Sequence, residues 1–119
     1  MIAAMALSDF KTGYLRQDRH ADVSAIQLLR RSLADIRSEM EGERNVLRDR
    51  FDTLAGDAAF SQQLLENEPG SLGLASKVRR LTGTMIEQSG RITLLQAQID
   101  FVADLERRAD RFLEGNPLA

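Results

Sequence analysis

Cysteine and tryptophan are missing from this 119-residue chain, proline occurs only at Pro69 and Pro117, and aromatic residues make up 5%. Without cysteine there is no disulfide framework, no thiolate nucleophile and no thiolate zinc site, a composition that fits a reducing compartment. With two prolines, both late, long stretches are left in which a helix can run unbroken. No stretch approaches the ~20 consecutive apolar residues of a membrane span. The opening MIAAMALSDF has a short apolar run with no basic residues before it and Asp9 directly after, so it is not read as a secretory signal. The expected location is the cytoplasm, or a larger protein assembly.

Charge of one sign is lacking too. Sixteen basic and 18 acidic residues give a net charge of −2, and the signs alternate closely in RSEMEGERNVLRDRFD, residues 37–52. A nucleic-acid-binding face needs concentrated positive charge. The densest basic clusters here are Arg30–Arg31 and Lys77 with Arg79 and Arg80, which are read as solvated or interface residues; nucleic acid is not an expected partner.

Catalytic chemistry is also thin. His20 is the only histidine, whereas a triad or a histidine metal site needs partners converging on it. A carboxylate-bridged di-iron bundle requires Glu-x-x-His on two helices, and position 17 is Gln. Acidic pairs at i, i+4 (Asp35 with Glu39, Glu39 with Glu43, Asp100 with Asp104, Glu106 with Asp110) have arginines close by in sequence, including Arg44, Arg48, Arg107, Arg108 and Arg111, and read as surface pairing. No glycine-rich phosphate loop occurs. No catalytic residue, metal ligand or cofactor is assigned, and the chain is not read as an enzyme.

What the sequence does contain is helical periodicity. Ile26, Leu33, Met40, Leu47 and Leu54 recur every seven residues, with Leu29 and Ile36 at the intermediate position, which predicts a heptad seam on a long helix over 19–55. Asp18 is its expected N-cap. Gly56–Asp57 reads as punctuation before a short capping helix over 57–67, ended by Pro69–Gly70, and Ser71 can cap the next helix. That last helix, over 72–114, has Leu74, Leu81, Leu95 and Val102 on one row and Val78, Met85, Ile92 and Ile99 on the adjacent one. The expected fold is all-α: a long antiparallel, coiled-coil-like helical hairpin with a short capping helix, paired into a helical bundle. It is flanked by an arm (1–18) and a tail (116–119), with the hairpin domain over 19–115. Folding back about residue 64 makes facing positions sum to 128; sums of 121 and 135 are equally regular.

Two features go beyond the hairpin. Glu43 and Gln88 interrupt the seams near Met40, Thr84 and Met85, and are read as register-setting, since polar seam residues can fix alignment at a cost in stability. Opposite the seam of the last helix lie Ser76, Gly83, Gly90 and Ala97, all small, with Ile86, Leu94 and Phe101 beside them. A glycine inside a helix costs about 1 kcal/mol relative to alanine. Together with the flanking apolar residues, this predicts a second buried face. Gly83, Ile86, Gly90, Leu94, Ala97 and Phe101 are therefore the expected partner-binding residues, facing a second copy of the chain (a homodimer or higher) or another protein. The arm supplies Ile2, Met5, Phe10 and Tyr14 as a possible docking segment.

The segment EQSGRITLLQAQIDFVADLER, residues 87–107, resembles the last helix of FlgN-type flagellar export chaperones. Those helices often carry Asn-Gly, then paired leucines, then Gln-Ile; Ser89–Gly90, Leu94–Leu95 and Gln98–Ile99 hold the comparable places. The first helix lacks the lysine that such chaperones tend to carry before its final leucines. The resemblance implies a helical bundle whose face around Leu94 and Phe101 holds a client's amphipathic terminal helix. The expected function is thus binding, as a self-associating structural or adaptor subunit of a bacterial or phage-like assembly. The alternatives are an export or assembly chaperone, and a regulator or inhibitor that docks on its target.

Overall fold

The computed structural model describes the backbone of residues 2–115 and the side chains of residues 20–115. The fold is an all-α antiparallel helical hairpin. The described residues form two helices, α1 over Ile2–Asn67 and α2 over Leu72–Glu114, of 66 and 43 residues.

The first helix is longer and simpler than the sequence suggests. It begins at Ile2, so the expected arm is helical in backbone; the docking side chains Ile2, Met5, Phe10 and Tyr14 lie outside the described residues. Asp18 falls inside the helix and does not cap it. The break expected at Gly56–Asp57 is also absent, and the separate capping helix merges into α1. The physical reason is that the inward row continues straight through it. Leu47 and Leu54 are followed by Ser61, which is fully buried, so the seam outweighs the ~1 kcal/mol cost of one exposed glycine. Asp57 pairs with Lys77 at 3.4 Å and caps nothing.

The turn forms where the backbone cannot continue a helix. Pro69–Gly70 lies in it, the Glu68 N–H bonds back to Leu64 O at 3.0 Å, and the Ser71 N–H bonds to Glu68 O at 3.0 Å. Ser71 then caps α2: its Oγ accepts from the Leu74 N–H at 3.2 Å. The fold-back is therefore centred on Glu68–Ser71 rather than on residue 64, and the facing sum of 128 is replaced by one close to the alternative of 135. Glu43–Arg91 and Asp57–Lys77 both show this register.

On α2 the expected inward rows are the ones found. Leu81, Leu95, Ile99 and Val102 are buried, and Leu74, Val78, Met85 and Ile92 are half-buried. On α1 only one of the two expected rows turns inward. Leu29 and Ile36 are exposed, and the second inward row is instead Arg30, Arg37, Arg44, Phe51, Ala58 and Leu65, all half-buried. Long arginine side chains can lie along apolar surface while their guanidinium groups reach polar partners, a choice that hydropathy alone does not anticipate.

The hairpin divides into two compact units. Unit 1 combines Met1–Arg37 with Phe101–Ala119, and its core holds Val23, Leu33, Val102 and Ala109. Unit 2 is Ser38–Asp100, the part closed by the turn, and is packed around Leu81, Leu95, Ile99 and Ser61. Leu95, only 1% exposed, is the deepest apolar side chain of unit 2; burial on that scale stabilises by about 2 kcal/mol.

Candidate interaction surface

In unit 2 the side of α2 turned away from the seam is open. Gly83, Ile86, Gly90, Leu94 and Ala97 are all exposed, with Ile86 at 67% and Leu94 at 51%. A Cβ built on Gly83 or Gly90 would meet nothing within 4 Å. Nothing in the chain's own packing therefore requires glycine at either position, and no described residue of α1 covers this side. Phe101, the remaining residue of the expected surface, belongs to unit 1 and is 64% exposed. The paired leucines divide between two roles: Leu95 is core and Leu94 is surface.

The two residues expected to set register do not meet. Glu43 is exposed and accepts from Arg91, whose Nη2 and Nε lie at 2.9 and 3.2 Å from Oε1. Gln88 does lie on the inward row, half-buried, and its Oε1 is buried without a hydrogen-bond partner. It borders an apolar groove of about 400 Å³ in unit 2, lined also by Asp49, Arg50, Thr53, Leu54 and Thr84. The hydroxyls of Thr53 and Thr84 donate to carbonyls of their own helices, Asp49 O and Arg80 O, both at 3.1 Å.

The strongest polar arrangement lies in unit 1, where sequence reasoning saw only surface pairing. Glu106 is 4% exposed. Its Oε1 accepts from Arg30 Nη1 at 3.1 Å and from Arg37 Nη2 at 3.3 Å, and its Oε2 accepts from Arg37 Nε. Arg30 Nε also donates to Asp110 Oδ1 at 2.8 Å. A buried carboxylate with two guanidinium partners is satisfied, so the cluster holds structure and offers no free base. The readable signal was the seven-residue spacing of Arg30, Arg37 and Arg44, beside the apolar row and on the same period. Arg44 extends that row into unit 2, where its Nη1 donates to Gln96 Oε1 at 2.9 Å. Asp104 does make the expected local pairs, with Arg108 at 3.1 Å and Arg107 at 3.6 Å.

Among the described residues there is no group of three or more His, Cys, Asp or Glu placed to hold a metal ion. Among them also, no helix is long and apolar enough to cross a membrane. No protein-family model, curated protein or solved structure matches the chain.

Proposed function

We propose that this protein is a non-enzymatic structural or adaptor subunit that self-associates and binds a protein partner through the outer face of α2. It works in the cytoplasm or within a larger assembly. The supporting observation is the exposure of Ile86 and Leu94 beside glycines that no neighbour in the chain requires. Exposed large apolar residues gathered on one side of a helix are a recognised mark of an interaction site. Self-association is the economical outcome for a two-helix hairpin, because a second hairpin turns a thin core into a four-helix bundle.

Light scattering on the purified protein tests this reading. The expected result is a stable oligomer, which falls to the 13.3 kDa monomer mass in a Gly90→Gln, Ala97→Gln variant that keeps its helical circular dichroism. A wild type that is monomeric across concentrations, or an unchanged mass in the variant, removes this surface from the account.

A second reading, an export or assembly chaperone of the FlgN type, draws on the likeness of residues 87–107 and on Leu94 standing exposed beside buried Leu95. In that case the same face exchanges its self-contact for a client's amphipathic helix, and adding the client dissociates the oligomer.

A further inference from the structure

The outer face of α2 in unit 2 has the same residue classes in both directions about Gly90. Ile86 and Leu94 lie four residues to either side, and Gly83 and Ala97 seven residues to either side; all five are exposed. Steps of four and seven residues return to nearly the same side of an α-helix. The order is therefore small, large, small, large, small along one exposed stripe. Such a pattern matches a second copy turned end for end: Gly90 meets Gly90, Gly83 lies level with Ala97, and Ile86 lies level with Leu94. The close approach needed at the centre is what the bare glycine permits.

The charges beside the stripe agree. Arg79 and Asp100 lie on one flank, Glu87 and Arg91 on the other, and all four are exposed. In an antiparallel pair related by a two-fold axis, each flank meets its own counterpart. Turning about Gly90 then brings Arg79 to the level of the other copy's Asp100, and Glu87 to within a turn of its Arg91. Opposite charges meet on both flanks. Arg91 is already held by Glu43 of its own chain, and a guanidinium has donors enough to serve both carboxylates. We propose that the occupant of this face is a second copy of the chain, packed antiparallel with the two-fold axis at Gly90. This rests on the self-association reading above and adds its geometry.

The absence of cysteine makes the full-length chain a clean background for single-site spin labels and pulsed electron paramagnetic resonance. With a helical rise of 1.5 Å per residue, labels on Leu72→Cys in the two copies should lie about 54 Å apart. Labels on Thr93→Cys, close to the axis, should lie within about 20 Å of each other. Short distances at both sites mean a parallel pair, which overturns the proposed arrangement while leaving self-association standing. Long distances at both sites mean the copies meet through another surface, and also overturn it. No dipolar coupling at either site, in a protein that scatters as a monomer, sinks this inference and the self-association reading together.

Discussion

In unit 1 the row of α1 beside Leu33 supplies Arg30 and Arg37, and α2 meets them with the buried carboxylate of Glu106. In unit 2 the same row begins with Arg44, bonded to Gln96, and continues as Phe51, Ala58 and Leu65, while the row of α2 through Leu74, Leu81 and Leu95 is interrupted by Gln88. Two stretches of one heptad row thus solve the packing problem differently. An apolar seam repeats every seven residues and accepts a neighbouring alignment almost as readily. A buried carboxylate bonded to two arginines is more selective: a slip of one heptad toward Val23 leaves it only Arg30, whereas the opposite slip offers Arg37 and Arg44 in exchange. Alignment in unit 1 is therefore narrowed by polar specificity, and in unit 2 it is set by the turn at Pro69–Gly70.

The largest expected effect comes from breaking that specificity. Glu106→Gln presents an amide –NH2 to guanidinium groups and should cost about 2 kcal/mol of stability, read as a lower denaturant midpoint. A loss under about 0.5 kcal/mol would mean that Arg30 and Arg37 are as well served by water, and the contrast between the units would dissolve. Gln88→Leu should act in the opposite direction. Removing a buried acceptor with no partner should stabilise by about 1 kcal/mol, seen as a higher melting temperature; a lower one would show that Gln88 is satisfied in solution. Smaller still is Glu43→Ala. It loses only an exposed pair with Arg91, so a change of about 0.3 kcal/mol is expected, and a change as large as that of Glu106→Gln would make Glu43 a main determinant of register.

Much of the fold is legible in the residues themselves. Pro69–Gly70 marks the turn, Ser71 the cap, and the rows through Leu81, Leu95, Ile99 and Val102 mark the inner side of α2, because steric exclusion, capping and burial are local or periodic effects. Three features are not legible for reasons of the same kind. Gly56–Asp57 has the chemistry of a helix end, yet the seam on either side overrides it. Leu29 and Ile36 have the hydropathy of a seam row, but the arginines one position along find partners 69 to 80 residues away, and no local pattern announces those partners. The register is ambiguous by construction, since a heptad repeat is its own translation. The candidate surface is legible as a pattern of small and large residues; that Gly83 and Gly90 meet no described residue beyond their own turn of helix needed coordinates.

If the outer side of α2 near Gly90 is an interface, as proposed, and the exposed side of α1 near Gly56 faces solvent, the two glycines should respond differently to the same substitution. Gly56 and Gly90 are alike in the single chain: both are exposed, both are helical, and a Cβ built on either meets no described atom within 4 Å beyond its own turn of helix. Helix propensity alone predicts that glutamine at either position stabilises by about 0.5 kcal/mol. The direct measurement is therefore the melting temperature of Gly56→Gln and Gly90→Gln, side by side, at a concentration where the wild type is associated. The first should rise and the second fall; an equal rise in both would place Gly90 in water and contradict the proposed interface.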